Sequence, residues 1–192
     1  MKHPFLMCII NDMNTKRFTT ISIFAAIIII LQIISTYINF GGFPITLTLI
    51  PIIVAGAVYG PSAGALMGLV FGVIVSLMVV VGADPSGAIM FSTHPIITVV
   101  TCIIKGTCAG YIGALVYKLI RNNKVGIIIS AIVTPITNTL ILYISLALFF
   151  EESFIALIGG FMTINFAIEL LTNVLIAPGL LVLINRVKGR NL

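Results

Sequence analysis

The sequence predicts an all-α integral membrane protein, a bundle of six transmembrane helices with the N and C termini cytoplasmic. Three observations carry this expectation. Of the 192 residues, 60% are hydrophobic and only 8% charged, with a mean hydropathy of +1.26, whereas a soluble domain carries roughly 25% charged residues. Apolar runs close to the ~20 residues that cross a bilayer fill almost everything after Phe18. The basic residues collect at the ends of those runs, in clusters that an even number of crossings puts on one side.

Gly and Pro punctuation divides the chain into its elements. Residues 1–17 form a short cytoplasmic segment. Its apolar stretch, Phe5 to Ile10, is too short for a signal-peptide core, and Asn11 and Asp12 interrupt it. Span 1 covers about 18–38 and ends at NFGGFP. Span 2, about 44–59, is short and ends at YGPSAG. Span 3, about 62–81, ends at GADPSG. Span 4, about 95–120, ends at RNNK. Span 5, about 125–149, ends at EES, and span 6 covers about 155–185. No linker or low-complexity tail separates them, so residues 1–192 read as a single membrane domain.

Charge sets the orientation. Lys2, Lys16 and Arg17 precede span 1, Lys118, Arg121 and Lys124 lie between spans 4 and 5, and Arg186, Lys188 and Arg190 follow span 6. Six spans bring all nine to one side, which the positive-inside rule makes the cytoplasm. The opposite loops hold Asp84, Glu151 and Glu152 and no Lys or Arg. The net charge of +5 is therefore topological. It is not a basic face interleaved with aromatics, so no nucleic-acid partner is expected. Lys105 and Glu169 are the two charges that fall within the bilayer, Lys105 roughly 15 Å down from the outer end of span 4.

Catalysis finds no support. Glu151–Glu152 sits at a helix end without the arginine that paired-glutamate intramembrane proteases need. His3 and His94 are far apart with no HExxH spacing, and no GxSxG elbow is present. Cys8, Cys102 and Cys108 form neither a disulfide framework nor a CxxC metal pattern, so no cofactor is expected. No GxxxxGK[ST] phosphate loop exists. ATP hydrolysis, if uptake uses it, belongs to another chain.

Small residues recur at helical spacing. Gly60, Gly64, Gly68 and Gly72 are four apart, with Gly56 before them, and Gly106 and Gly110 repeat the step in span 4. Such a face lets two helices approach closely, either inside the bundle or against another membrane protein. Span 1 has a smaller patch of Ser22, Ala25 and Ala26 in an Ile-rich helix. It suits a partner contact, or lipid and one neighbour.

Polar residues share that periodicity. Span 6 carries Asn165, Glu169 and Asn173, span 5 carries Thr134, Asn138 and Ser145, and span 4 carries Thr98, Thr101 and Lys105. A charge at mid-bilayer costs about 2.5–3.5 kcal/mol on insertion scales, and such residues face a bundle interior or a cavity. Spans 4–6 are expected to enclose a pocket open to the outside, with NFGGFP and the long GADPSGAIMFSTHP loop closing over it. Lys105 and Glu169 either pair as a buried ion bridge or take up a ligand. As a site, the set suits a small acid with hydroxyl or amide groups: Lys105 for its carboxylate, Asn138 and Asn165 for donors and acceptors.

The stretch LTLIPIIVAGAVYGPSAGALMGLVFGVI, with its GPxxGAxxG core, resembles the substrate-binding S components of energy-coupling factor (ECF) vitamin transporters, as does GADPSGAIMFSTHPIITVVTCIIKGTCAGYIGALVYKLI after it. The resemblance covers about residues 18–186. It implies capture of a small vitamin from outside, in a pocket of helices 4–6 and loops 1 and 3, here Thr101, Lys105, Thr134, Asn138, Asn165, Glu169 and Asn173. It also implies docking on a membrane scaffold (T) subunit with two cytoplasmic ATPase subunits. Small residues of helix 1 make that contact in the family. Here Ser22, Ala25 and Ala26 lie in the region, while Ile29 and Ile30 stand where a second alanine falls in the family's pattern. NFAIELLTNVLIAPGL and TPITNTL look most like the pantothenate-type branch. Riboflavin, folate, hydroxymethylpyrimidine and queuosine-precursor branches stay open, as does a non-transport scaffold of similar fold.

Overall fold

A computed structural model describes the backbone of residues 15–37, 39–40, 43–44 and 47–190, and the side chains of 18–37, 47–151, 159 and 163–186. Most of the 1–17 segment, with Lys2, and Gly41–Gly42 of the first outer loop lie outside the described residues. The chain runs α1 (Thr15–Tyr37), a two-residue antiparallel pairing of β1 (Asn39–Phe40) with β2 (Phe43–Pro44), α2 (Leu49–Tyr59), α3 (Pro61–Val80), α4 (Pro85–Thr93), α5 (Pro95–Leu119), α6 (Asn123–Phe149) and α7 (Glu152–Arg190).

Proline starts three of these helices. Pro61, Pro85 and Pro95 each stand in a first turn, where a missing N–H leaves no bond unmade and the fixed φ suits the helix. Asn122 caps α6 by accepting from the N–H groups of Lys124 (3.0 Å) and Val125 (3.4 Å). Gly60 joins α2 to α3 at φ +94°, a backbone conformation that a Cβ would strain.

Among the described residues five helices are long and apolar enough to cross a membrane: Phe18–Tyr37, Pro61–Val80, Pro95–Leu119, Asn123–Phe149 and Thr163–Arg186. The segment expected as span 2 differs. Its helix, α2, has 11 residues, about 16 Å of length, against a hydrocarbon core of about 30 Å. It is apolar all round and correspondingly interior: Leu49, Ile52, Ile53 and Val54 are all within 2% of full burial. Thr48, just ahead of it, donates to Gln32 Oε1 of α1 at 2.9 Å. The start of α2 therefore lies level with Gln32, five residues short of the end of α1.

The glycine spacing is spent on packing inside the bundle. Gly64 and Gly68 of α3 face Gly110 and Gly106 of α5, backbone to backbone. A Cβ on Gly72 would lie 2.6 Å from the Cys102 carbonyl oxygen and 2.8 Å from Ile103 Cα. Gly56 of α2 meets Ala114 and Gly64 in the same seam. On the other side of α5, Ser130 Oγ of α6 donates to the Gly113 carbonyl at 2.8 Å.

The GADPSGAIMFSTHP segment, expected as a loop, is largely the helix α4. Asp84 initiates it by accepting from Ser86 Oγ (2.8 Å) and Gly87 N (3.1 Å). Met90 docks it on Leu146 of α6, with Leu142, Tyr143 and Phe150 around them. His94 meets the ring of Phe150 edge-on, 5.2 Å between centroids.

Candidate functional site

Under α4 lies a cavity of about 80 Å³. Its apolar wall is Phe71, Val75 and Val79 of α3, and Met90 closes it from α4. Its polar wall comes from three helices, because helical spacing of three and four residues stacks side chains on one face. On α5 these are Thr98, Thr101 and Lys105, on α6 Asn138, and on α7 Asn165 and Glu169. Five of the seven binding residues expected from sequence thus meet at one cavity.

Thr134 and Asn173 stand elsewhere. Thr134 is fully buried, and its Oγ1 donates to the Ser130 carbonyl at 2.8 Å. It packs against Gly113, in the α5–α6 seam. Asn173 is 1% exposed and donates from Nδ2 to the Glu169 carbonyl at 2.8 Å, one helical turn beyond the cavity wall.

The cavity residues differ in how they are satisfied. Thr101 and Ser145 share a 2.7 Å hydrogen bond that joins α5 to α6. Glu169 is 2% exposed, and its Oε1 has no hydrogen-bond partner; neither has Asn138 Oδ1. Among the described residues no ion pair joins Lys105 to Glu169, so the buried bridge is not formed although both line one cavity. Buried polar atoms are normally paired, and leaving one unpaired costs about 1–3 kcal/mol. The arrangement offers a cation for an acidic group and at least two acceptors for hydroxyl or amide donors.

Sequence reasoning passed over Gln32, Asp84, Ser86 and Thr139, which also line the cavity. Gln32 carried a usable signal: an amide inside an Ile run, with Ser35 and Thr36 three and four residues on. Asp84 is already engaged as the α4 cap. Among the described residues no group of three or more His, Cys, Asp and Glu side chains is placed to hold a metal ion. On α1, Ser22 and Ala26 are exposed and Ala25 is half-buried; Ser22 Oγ donates back to the Phe18 carbonyl at 3.0 Å.

A sequence model described as the substrate-specific component of ECF transporters matches residues 16–181. The pantothenic acid transporter PanT of Lactococcus lactis subsp. cremoris (strain MG1363) is 25% identical over 186 residues, covering 89% of this chain and 94% of that protein. No solved structure matches the chain. The family is one of transporter components rather than enzymes, which agrees with the sequence-based expectation. A match that spans α1 to α7, on a chain whose long apolar helices enclose a polar cavity, makes this a multi-pass cell-membrane protein belonging to the family of ECF transporter substrate-specific components, a vitamin-type substrate-binding subunit.

Proposed function

We propose that the chain captures pantothenate from outside the cell. It then passes the vitamin inward with a membrane scaffold (T) subunit and two cytoplasmic ATPase subunits. One observation carries the substrate: Lys105 shares a cavity with the unpartnered acceptors Glu169 Oε1 and Asn138 Oδ1. Pantothenate has a carboxylate for the first and hydroxyl and amide donors for the others. The similarity to a pantothenic acid transporter supports the same choice.

The proposed topology is six passes with both termini cytoplasmic. The cavity is lined by the C-terminal halves of α1, α3 and α6 and by N-terminal parts of α5 and α7. The ends of α2 and α5 and the starts of α3 and α6 meet at a second opening. This alternation supports α2, short as it is, serving as the second pass. The positive-inside rule then assigns the Lys118/Arg121 end to the cytoplasm. The exposed Ser22 and Ala26, with Ala25 beside them, are the proposed scaffold contact.

The test is a thermal-shift panel of vitamins on the purified chain. Pantothenate at 100 times its Kd adds about 2.7 kcal/mol, a rise of about 5–11 °C for a chain of this size. A shift with another vitamin instead corrects the substrate, and no shift with any removes capture.

A further inference from the structure

At the end of the bundle away from the cavity, the α2–α3 and α5–α6 turns come together around a groove of about 640 Å³. Tyr59, Ser62, Tyr117, Lys118, Arg121 and Asn123 line it, and among the described residues no carboxylate does. Lys118 and Arg121 are exposed, while Tyr117 is 6% exposed and gives the groove a fixed wall. The sharp Gly60 turn sets the start of α3 at the groove, and that 20-residue helix has no side-chain cap. Pro61 has no N–H, and the N–H groups of Ala63 and Gly64 bond back to the Gly60 carbonyl, so what α3 adds to the two cations is the positive end of its dipole.

We propose that this groove holds the phosphate group of an anionic phospholipid. A phosphodiester matches a guanidinium fork, an ammonium and a helix N-terminus. The lipid source follows from position. The tyrosines are of the type that collects at membrane–water interfaces, and beside Lys118 the apolar Leu119 is 71% exposed, a surface for an acyl chain that a free phosphate would not use. The proposal rests on the cytoplasmic placing of this end, where the leaflet is negatively charged. Binding measured in detergent does not depend on that placing, so the two can fail separately.

The experiment is native mass spectrometry of the full chain in neutral detergent, with short-chain phosphatidylglycerol, phosphatidylcholine or inorganic phosphate. The chain is expected to retain phosphatidylglycerol in preference to phosphatidylcholine. The variant Lys118→Ala/Arg121→Ala should weaken that binding about 30-fold, each cation near an anionic surface being worth about fivefold. Lys124→Ala/Arg186→Ala removes the same charge from the same end but outside the groove, and should leave binding unchanged. Equal retention of both lipids overturns the proposal, as does an equal loss in the two double variants. Inorganic phosphate binding as tightly as phosphatidylglycerol overturns the lipid source. Pantothenate shifts on the same preparations separate this site from the vitamin cavity: a wild-type chain that shows no lipid preference but still shifts with pantothenate overturns the groove alone.

Discussion

Replacing Gly68 by alanine tests the seam on which the rest of the architecture hangs. A Cβ at Gly68 overlaps the Gly106 carbonyl oxygen and lies 2.7 Å from its carbonyl carbon, where ordinary contact begins at 3.4 Å. The obstacle is backbone, so no side-chain rotation relieves it. The two helices must separate by about 0.7 Å or more, and Gly64–Gly110 and Gly72–Cys102 loosen with them. Overpacking costs about 1–3 kcal/mol, and backbone against backbone belongs at the upper end. Helix propensity returns about 1 kcal/mol. The net loss, about 2 kcal/mol, is a fall in Tm of about 4–8 °C in detergent for a chain of this length. Gly179→Ala is the internal control. Nothing lies within 4 Å of a Cβ there, so the same propensity gain comes without a clash and Tm should hold or rise. If Gly68→Ala melts level with Gly179→Ala, the helices do not touch at backbone distance, and the packing account of the glycine repeat is wrong.

Lys105→Ala should weaken pantothenate binding about 10- to 150-fold, the worth of a hydrogen bond to a charged group, with Tm unchanged in the absence of ligand; calorimetric titration reads the first and a melt the second. Thr134→Ala should do the reverse, leaving the Kd alone and lowering Tm by about 2–4 °C through a lost hydrogen bond of about 1 kcal/mol; a change in Kd would move Thr134 into the site. Asp84→Ala removes the α4 cap, worth about 0.5–2 kcal/mol, and should speed ligand dissociation in a stopped-flow chase; an unaltered off-rate would mean that α4 does not gate the cavity. Met90 of α4 lines the cavity and packs on Leu146 of α6, so the proposed capture is expected to need this contact to open. A crosslink through Met90→Cys and Leu146→Cys should abolish binding until it is reduced.

Most spans were legible because a bilayer demands long apolar runs and proline marks where helices start. The two departures have local causes that the sequence also carries. An apolar run does not say where within it a helix begins, but Pro51 does. In a helix starting near residue 44 it would fall in the interior, losing a hydrogen bond and clashing with the turn before it. In α2, beginning at Leu49, it falls in the first turn, where there is nothing to lose. The Gly and Pro content of the segment after span 3 predicts a loop. Yet Asp84–Pro85 is a cap followed by a first-turn proline, a helix start by its chemistry.

The site was half legible for a different reason. Helical spacing tells which face a residue is on, not whether the neighbouring helix touches or stands away at that height. Thr134 and Asn138 share a face of α6 one turn apart, yet only Asn138 reaches the cavity. Opposite Thr134 lies Gly113, and a glycine there brings the helices into contact. Nearer the cavity end of α5 the glycines stop at Gly106, and Lys105, Thr101 and Thr98 line open space. Glu169 and Asn173 divide the same way on α7, the first at the cavity and the second one turn past it. Small residues mark where helices close, and the polar residues beyond the last of them line the cavity, with Thr101 and Ser145 tying α5 to α6 beside it. Read together, the two patterns set the floor of the cavity at the height of Lys105, Asn138 and Glu169. Three polar groups placed there by three different helices, Lys105 and Glu169 among them with no bridge between them, are the groups that the proposed ligand would meet.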